Sequence, residues 1–167
     1  MVLSVPVVAG DSLSTWGFTL AAPTDLSGAT ITYRMCVATS QTDTTIFQPF
    51  VATADASAGT YGFHIFDNSF QSQTTGPLTP CSTGLSDVVF SPVSADFNAK
   101  AVSFIGLSIG SAAGSTGPWS NPTIVRLDSI TISNGAAGGP YTFDTSTDPL
   151  MMGSPYADGT TFTWVSM

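Results

Sequence analysis

Residues 29–38, ATITYRMCVA, alternate without a break: Ile31, Tyr33, Met35 and Val37 share one face, and Thr32, Arg34 and Cys36 the other. A period of two sends successive side chains to opposite sides of a pleated strand, so this segment is predicted to be a strand with an apolar inner face. The same reading extends outward along the chain. Leu3 to Val8, Trp16 to Leu20, Thr45 to Ala52, Thr60 to Phe66, Ser86 to Phe90, Ala101 to Ile109 and Thr123 to Ser133 are strand-like runs with turn residues between them. Tyr141 to Asp144 and Thr160 to Val165 follow a glycine-rich linker at 134–140. Asp67 to Gly84 reads as a long polar loop, and Ala95 to Ala101 as at most one short turn. No 3.6-residue apolar period persists long enough for a substantial helix.

Composition agrees. All eleven acidic residues are Asp and there is no Glu, while Arg34, Lys100 and Arg126 are the only cations. Asp is a poor residue for helix interiors, and Glu, Lys and Arg are good ones, so the usual materials of surface helices are missing. About nine strands punctuated by turns fit an all-β fold, an antiparallel β-sandwich of jelly-roll type. The length suits one such domain spanning residues 1–167.

Charge narrows the partners. A net charge of −8 with three dispersed cations cannot neutralise a phosphate backbone, which excludes a nucleic-acid partner. Charged residues make up only 8% of a chain that is 43% hydrophobic, so it should fold and finish its surface with hydroxyls and amides, as extracellular polysaccharide-handling proteins commonly do. The longest apolar candidate, Ala101 to Gly114, is interrupted by Ser and Gly and does not read as a membrane span. The N-terminal MVLSVPVVAG lacks a basic n-region, so no signal peptide is legible; this fits a cytoplasmic protein, a trimmed chain or a domain cut from a longer protein, and one of the last two is expected. Cys36 and Cys81 permit one disulfide; two reduced thiols, with Cys36 buried, are the equal alternative.

Three segments, TDLSGATITYRMCV, AKAVSFIGLSIGS and TIVRLDSITIS, in this order and spacing over roughly residues 24–133, resemble the β-jelly-roll carbohydrate-binding modules attached to bacterial glycoside hydrolases and polysaccharide lyases. The resemblance implies a secreted, non-catalytic polysaccharide-binding module with a neighbouring catalytic domain in the parent protein. It also implies a structural calcium ion at the closing-strand Asp128, with Asp144 as a partner ligand. The ends depart from the pattern. The Phe-Asp and Trp-containing strands that usually come first appear last here, as YTFD at 141–144 and FTW at 162–164. The terminal strands are therefore expected to be permuted, or to begin a neighbouring module.

The residues themselves suggest where a sugar would lie. If the apolar face of 31–37 packs inward, Arg34 projects from an open face, and Arg126 does the same between Val125 and Leu127. Gly106 and Ser108 would leave space beside them. Trp119, in the loop Gly-Pro-Trp-Ser-Asn-Pro, is a candidate to stack on a pyranose ring, the alternative being a Trp that folds back to cap the sandwich edge. Gln48, Tyr61 and His64 are further candidates in strands of ambiguous alternation. Catalysis has little support: there is no nucleophile-elbow serine, no HExxH and no Cys/His cluster, and the Asp-rich turns read as turn chemistry. A structural or adhesive sandwich domain without a sugar ligand is the second reading, and a lyase or hydrolase on the same scaffold the third.

Overall fold

A computed structural model describes residues 1–8, 10, 13–40, 45–53, 70–72, 77–91, 98–134, 141–142, 156–158 and 161–163. The strands are β1 (Val2–Val5), β2 (Leu13–Thr24), β3 (Thr30–Val37), β4 (Thr45–Thr53), β5 (Phe70–Ser72), β6 (Ser86–Phe90), β7 (Val102–Ser111), β8 (Thr123–Ser133), β9 (Tyr141–Thr142), β10 (Tyr156–Asp158) and β11 (Thr161–Thr163). One 3-10 turn, Ala99–Ala101, is the only helical element among the described residues.

The strands form two antiparallel sheets. Sheet A runs β11-β1-β8-β3-β6, with β9 beside β8, and sheet B runs β10-β2-β7-β4-β5. Nearly every connection from β1 to β8 crosses between sheets, and those eight strands occupy the two four-stranded layers of a jelly roll in chain order. The segment after residues 134–140 joins the same two sheets: β9 pairs with β8, β10 with the outer edge of β2, and β11 with the outer edge of β1.

The inner faces are those the alternation indicates. Ile31, Tyr33, Met35 and Val37 are buried from sheet A, together with Val125 and Leu127. Trp16, Phe18, Ile105, Leu107 and Ile109 meet them from sheet B. Tyr33 crosses the core: its hydroxyl donates to the Gly106 carbonyl at 2.9 Å and lies 3.4 Å from that of Phe50, both in sheet B. Complete burial pushes this phenol far above its usual pKa, so it remains a neutral donor. Removing the hydroxyl in Tyr33→Phe leaves the ring in place and deletes the donor. Urea denaturation should show a loss of about 1 kcal/mol; unchanged stability would mean that the carbonyls do not depend on it.

Three features depart from the sequence reading. β5 lies inside the stretch read as the polar loop 67–84, since three residues are too short to display a period. β2 is much longer than Trp16 to Leu20, continuing to Thr24 through an irregular register after Thr19. β8 contains a bulge: Arg34 opposes Ser129 but Met35 opposes Leu127, so Asp128 is the extra residue and the buried positions shift from Val125 and Leu127 to Ile130 and Ile132. The expected strand Thr60 to Phe66 lies outside the described residues.

Candidate functional site on the outer face of sheet A

Arg34 stands in the middle of the outward face of sheet A because its neighbours Tyr33 and Met35 are committed to the core. β6 lies on one side of it and β8 on the other. From β6, Asp87 sits directly opposite Arg34 in the register, and its Oδ1 accepts from Nη1 at 3.2 Å. From the β8 bulge, Asp128 Oδ2 comes within 3.8 Å of Arg34 Nε and also accepts from the Ser129 hydroxyl at 3.1 Å. The result is a row, carboxylate–guanidinium–carboxylate, lying across three adjacent strands. Its side chains remain open, at 49% exposure for Arg34, 53% for Asp87 and 33% for Asp128. Ion pairs this exposed contribute roughly 0–1 kcal/mol to folding. They place the guanidinium between the two carboxylates on the open face.

Two residue pairs along, Arg126 lies opposite Cys36 and is exposed on the same face, with no ion pair among the described residues. Cys36 is joined to Cys81 by a disulfide with a Cα–Cα distance of 5.0 Å. Cys81 belongs to a segment that continues the edge of sheet A beyond β6. The Val37 amide donates to the Thr79 carbonyl at 3.0 Å, and the Cys81 amide to the Val37 carbonyl at 2.8 Å. Where β3 ends, residues 37–40 and 80–82 line a groove of about 430 Å³ with the hydroxyls of Thr39, Ser40 and Ser82 around it. Thr39 Oγ1 accepts from the Ile124 amide at 3.0 Å, which ties the groove wall to β8.

The remaining candidates are dispersed. Gln48 is half-buried on β4, opposite Ser108, and therefore belongs to sheet B on the other side of the molecule. The space expected beside Gly106 and Ser108 is also on that side, and it is filled. The Phe50 ring lies over Gly106, and Ser108 Oγ is 3.1 Å from Thr15 Oγ1. Trp119 is partly buried and packs against the main core, the capping position, and its indole N–H is buried without a hydrogen-bond partner among the described residues. The left-handed Gly117, φ +80°, lets the loop turn under the ring, which lies 3.3 Å from where a Gly117 Cβ would be. The next residue, Ser120, donates its hydroxyl to the Ser40 carbonyl, so the loop abuts the groove. Tyr61, His64 and Asp144 lie outside the described residues.

Asp87, Ser129 and the groove residues were not singled out from sequence. Asp87 and Val89 are both exposed on the outward face of β6, which SDVVF does not announce, because Val88, Val89 and Phe90 are all apolar. Around Asp128 the described residues supply a cation and a hydroxyl, and no group of three or more His, Cys, Asp or Glu that could hold a metal occurs among them. The calcium reading consequently depends on Asp144. No helix of the described residues is long and apolar enough to cross a membrane. Comparison of the chain with protein families, curated proteins and solved structures gives no match.

Proposed function

We propose that this chain is a non-catalytic, extracellular polysaccharide-binding module that takes its glycan along the outer face of sheet A. The observation that carries the reading is Arg34: a half-exposed guanidinium, held mid-face between two carboxylates, with Arg126 beside it. Sugar hydroxyls both donate and accept, and a row of carboxylate acceptors and guanidinium donors across three adjacent strands offers them partners of both kinds. The hydroxyl-bearing groove at the end of β3 extends the same surface. Trp119 contributes by holding the β7–β8 loop against this end of the sandwich. The disulfide is compatible with an oxidising, extracellular location; a structural calcium ion at Asp128 and Asp144 would have to take the Asp128 carboxylate from Arg34.

The second reading, a structural or adhesive sandwich domain without a sugar ligand, draws on the same row, because Arg34 already has two protein partners. Affinity electrophoresis or calorimetry against a polysaccharide panel separates the two. Arg34→Ala should weaken binding by about tenfold or more, as expected for loss of a charge-assisted hydrogen bond. The melting temperature should fall little, because the side chain is half in water. Binding equal to wild type in this variant would move the glycan off this face. Release of soluble products from any polymer would instead favour a lyase or hydrolase.

A further inference from the structure

We infer that the glycan accepted by this face is neutral, and that Asp87 and Asp128 are the residues that exclude acidic polymers. The inference rests on the polysaccharide-binding reading and adds a substrate class to it. Arg34 taken alone looks like a uronate anchor, because a guanidinium fork matches a carboxylate. In the structure its Nη1 already serves Asp87 and its Nε faces Asp128, so the row carries two negative charges against one positive. A uronate carboxylate approaching Arg34 would meet both Asp side chains, each within about one strand spacing, roughly 5 Å. The chain's net charge of −8 opposes a polyanion at longer range.

A neutral sugar meets none of this. Its hydroxyls can donate to Asp87 and Asp128 and accept from the guanidinium hydrogens, so acceptor, donor and acceptor recur across β6, β3 and β8. Arg126 is the place where an acidic group could still gain, since it has no ion pair among the described residues. It therefore serves as an internal control.

The test compares neutral polymers (glucan, xylan, mannan, galactan) with polygalacturonate and alginate, at salt concentrations from about 20 to about 500 mM. Wild type should bind at least one neutral polymer with an affinity that changes less than about twofold over that range, and should bind the uronates at least about tenfold more weakly. Asp87→Asn/Asp128→Asn should bind the neutral polymer several-fold more weakly and gain uronate binding that falls as salt rises. Should the double variant fail to fold, Asp87→Asn at its half-exposed site should show the same gain in smaller measure. Wild-type preference for uronates, lost in Arg126→Ala, would overturn the charge inference while leaving the glycan reading intact. No binding to either class of polymer would overturn both.

Discussion

Replacing Cys36 and Cys81 together by alanine is expected to lower the unfolding free energy by about 4 kcal/mol, the largest stability effect anticipated for this protein. The two residues are 45 apart in sequence, and the chain-entropy argument assigns roughly this cost to freeing a loop of that length in the unfolded chain. Local structure adds to it. Without the cross-link, residues 79–83 are held beside β3 by two backbone hydrogen bonds to Val37 and by the turn in which Thr83 donates to the Pro80 carbonyl. The groove wall at 80–82 would then loosen with them. Urea denaturation followed by tryptophan fluorescence reads the loss. Titration of the unreduced, denatured protein with Ellman's reagent should find no thiol, because both cysteines are paired. Two thiols, or a double variant as stable as wild type, would contradict the cross-linked edge.

A second large effect is expected at Gly106. This residue faces Gly17 on β2 and Phe50 on β4. The two glycines leave a slot on the outside of sheet B that the Phe50 ring fills. A Cβ at Gly106 would come 2.3 Å from the Trp16 carbonyl oxygen and 2.4 Å from the Phe50 ring. Backbone cannot yield as a flexible side chain can, so Gly106→Ala should cost about 3 kcal/mol or more, the upper range for overpacking. At Gly17 the corresponding approaches are 2.9 Å to the Ile105 carbonyl oxygen and 3.2 Å to the ring. Gly17→Ala should therefore be milder, and the order of the two variants is diagnostic. Equal stabilities would mean that the ring does not occupy the slot.

These two sites also show what sequence could and could not convey. The fold was legible because the alternation in ATITYRMCVA assigns inside and outside directly, and the burial of Tyr33 and Met35 and the exposure of Arg34 follow it. The bulge at Asp128 was legible in principle, since the apolar spacing of Val125, Leu127, Ile130 and Ile132 slips by one residue at that point. The partners of Arg34 were not. Asp87 is 53 residues away, and only the β3–β6 register brings it opposite. The Phe50 ring reaches Gly106 from another strand, so a glycine that reads as open space is in fact covered. Trp119 between prolines reads as a platform or a cap, and the return of its loop onto the core depends on packing that no local pattern records. The facing of Gln48, on sheet B, likewise depended on knowing which strands share a sheet.

The most direct test of the central claim, that the outer face of sheet A binds a glycan, is a chemical-shift titration of the isotope-labelled protein with a soluble oligosaccharide. Saturable shifts are expected on Thr32 to Cys36 of β3, Ser86 to Val89 of β6 and Ile124 to Thr131 of β8, together with the Arg34 side-chain resonance. Shifts confined to sheet B, or none with any oligosaccharide from a broad panel, would contradict it.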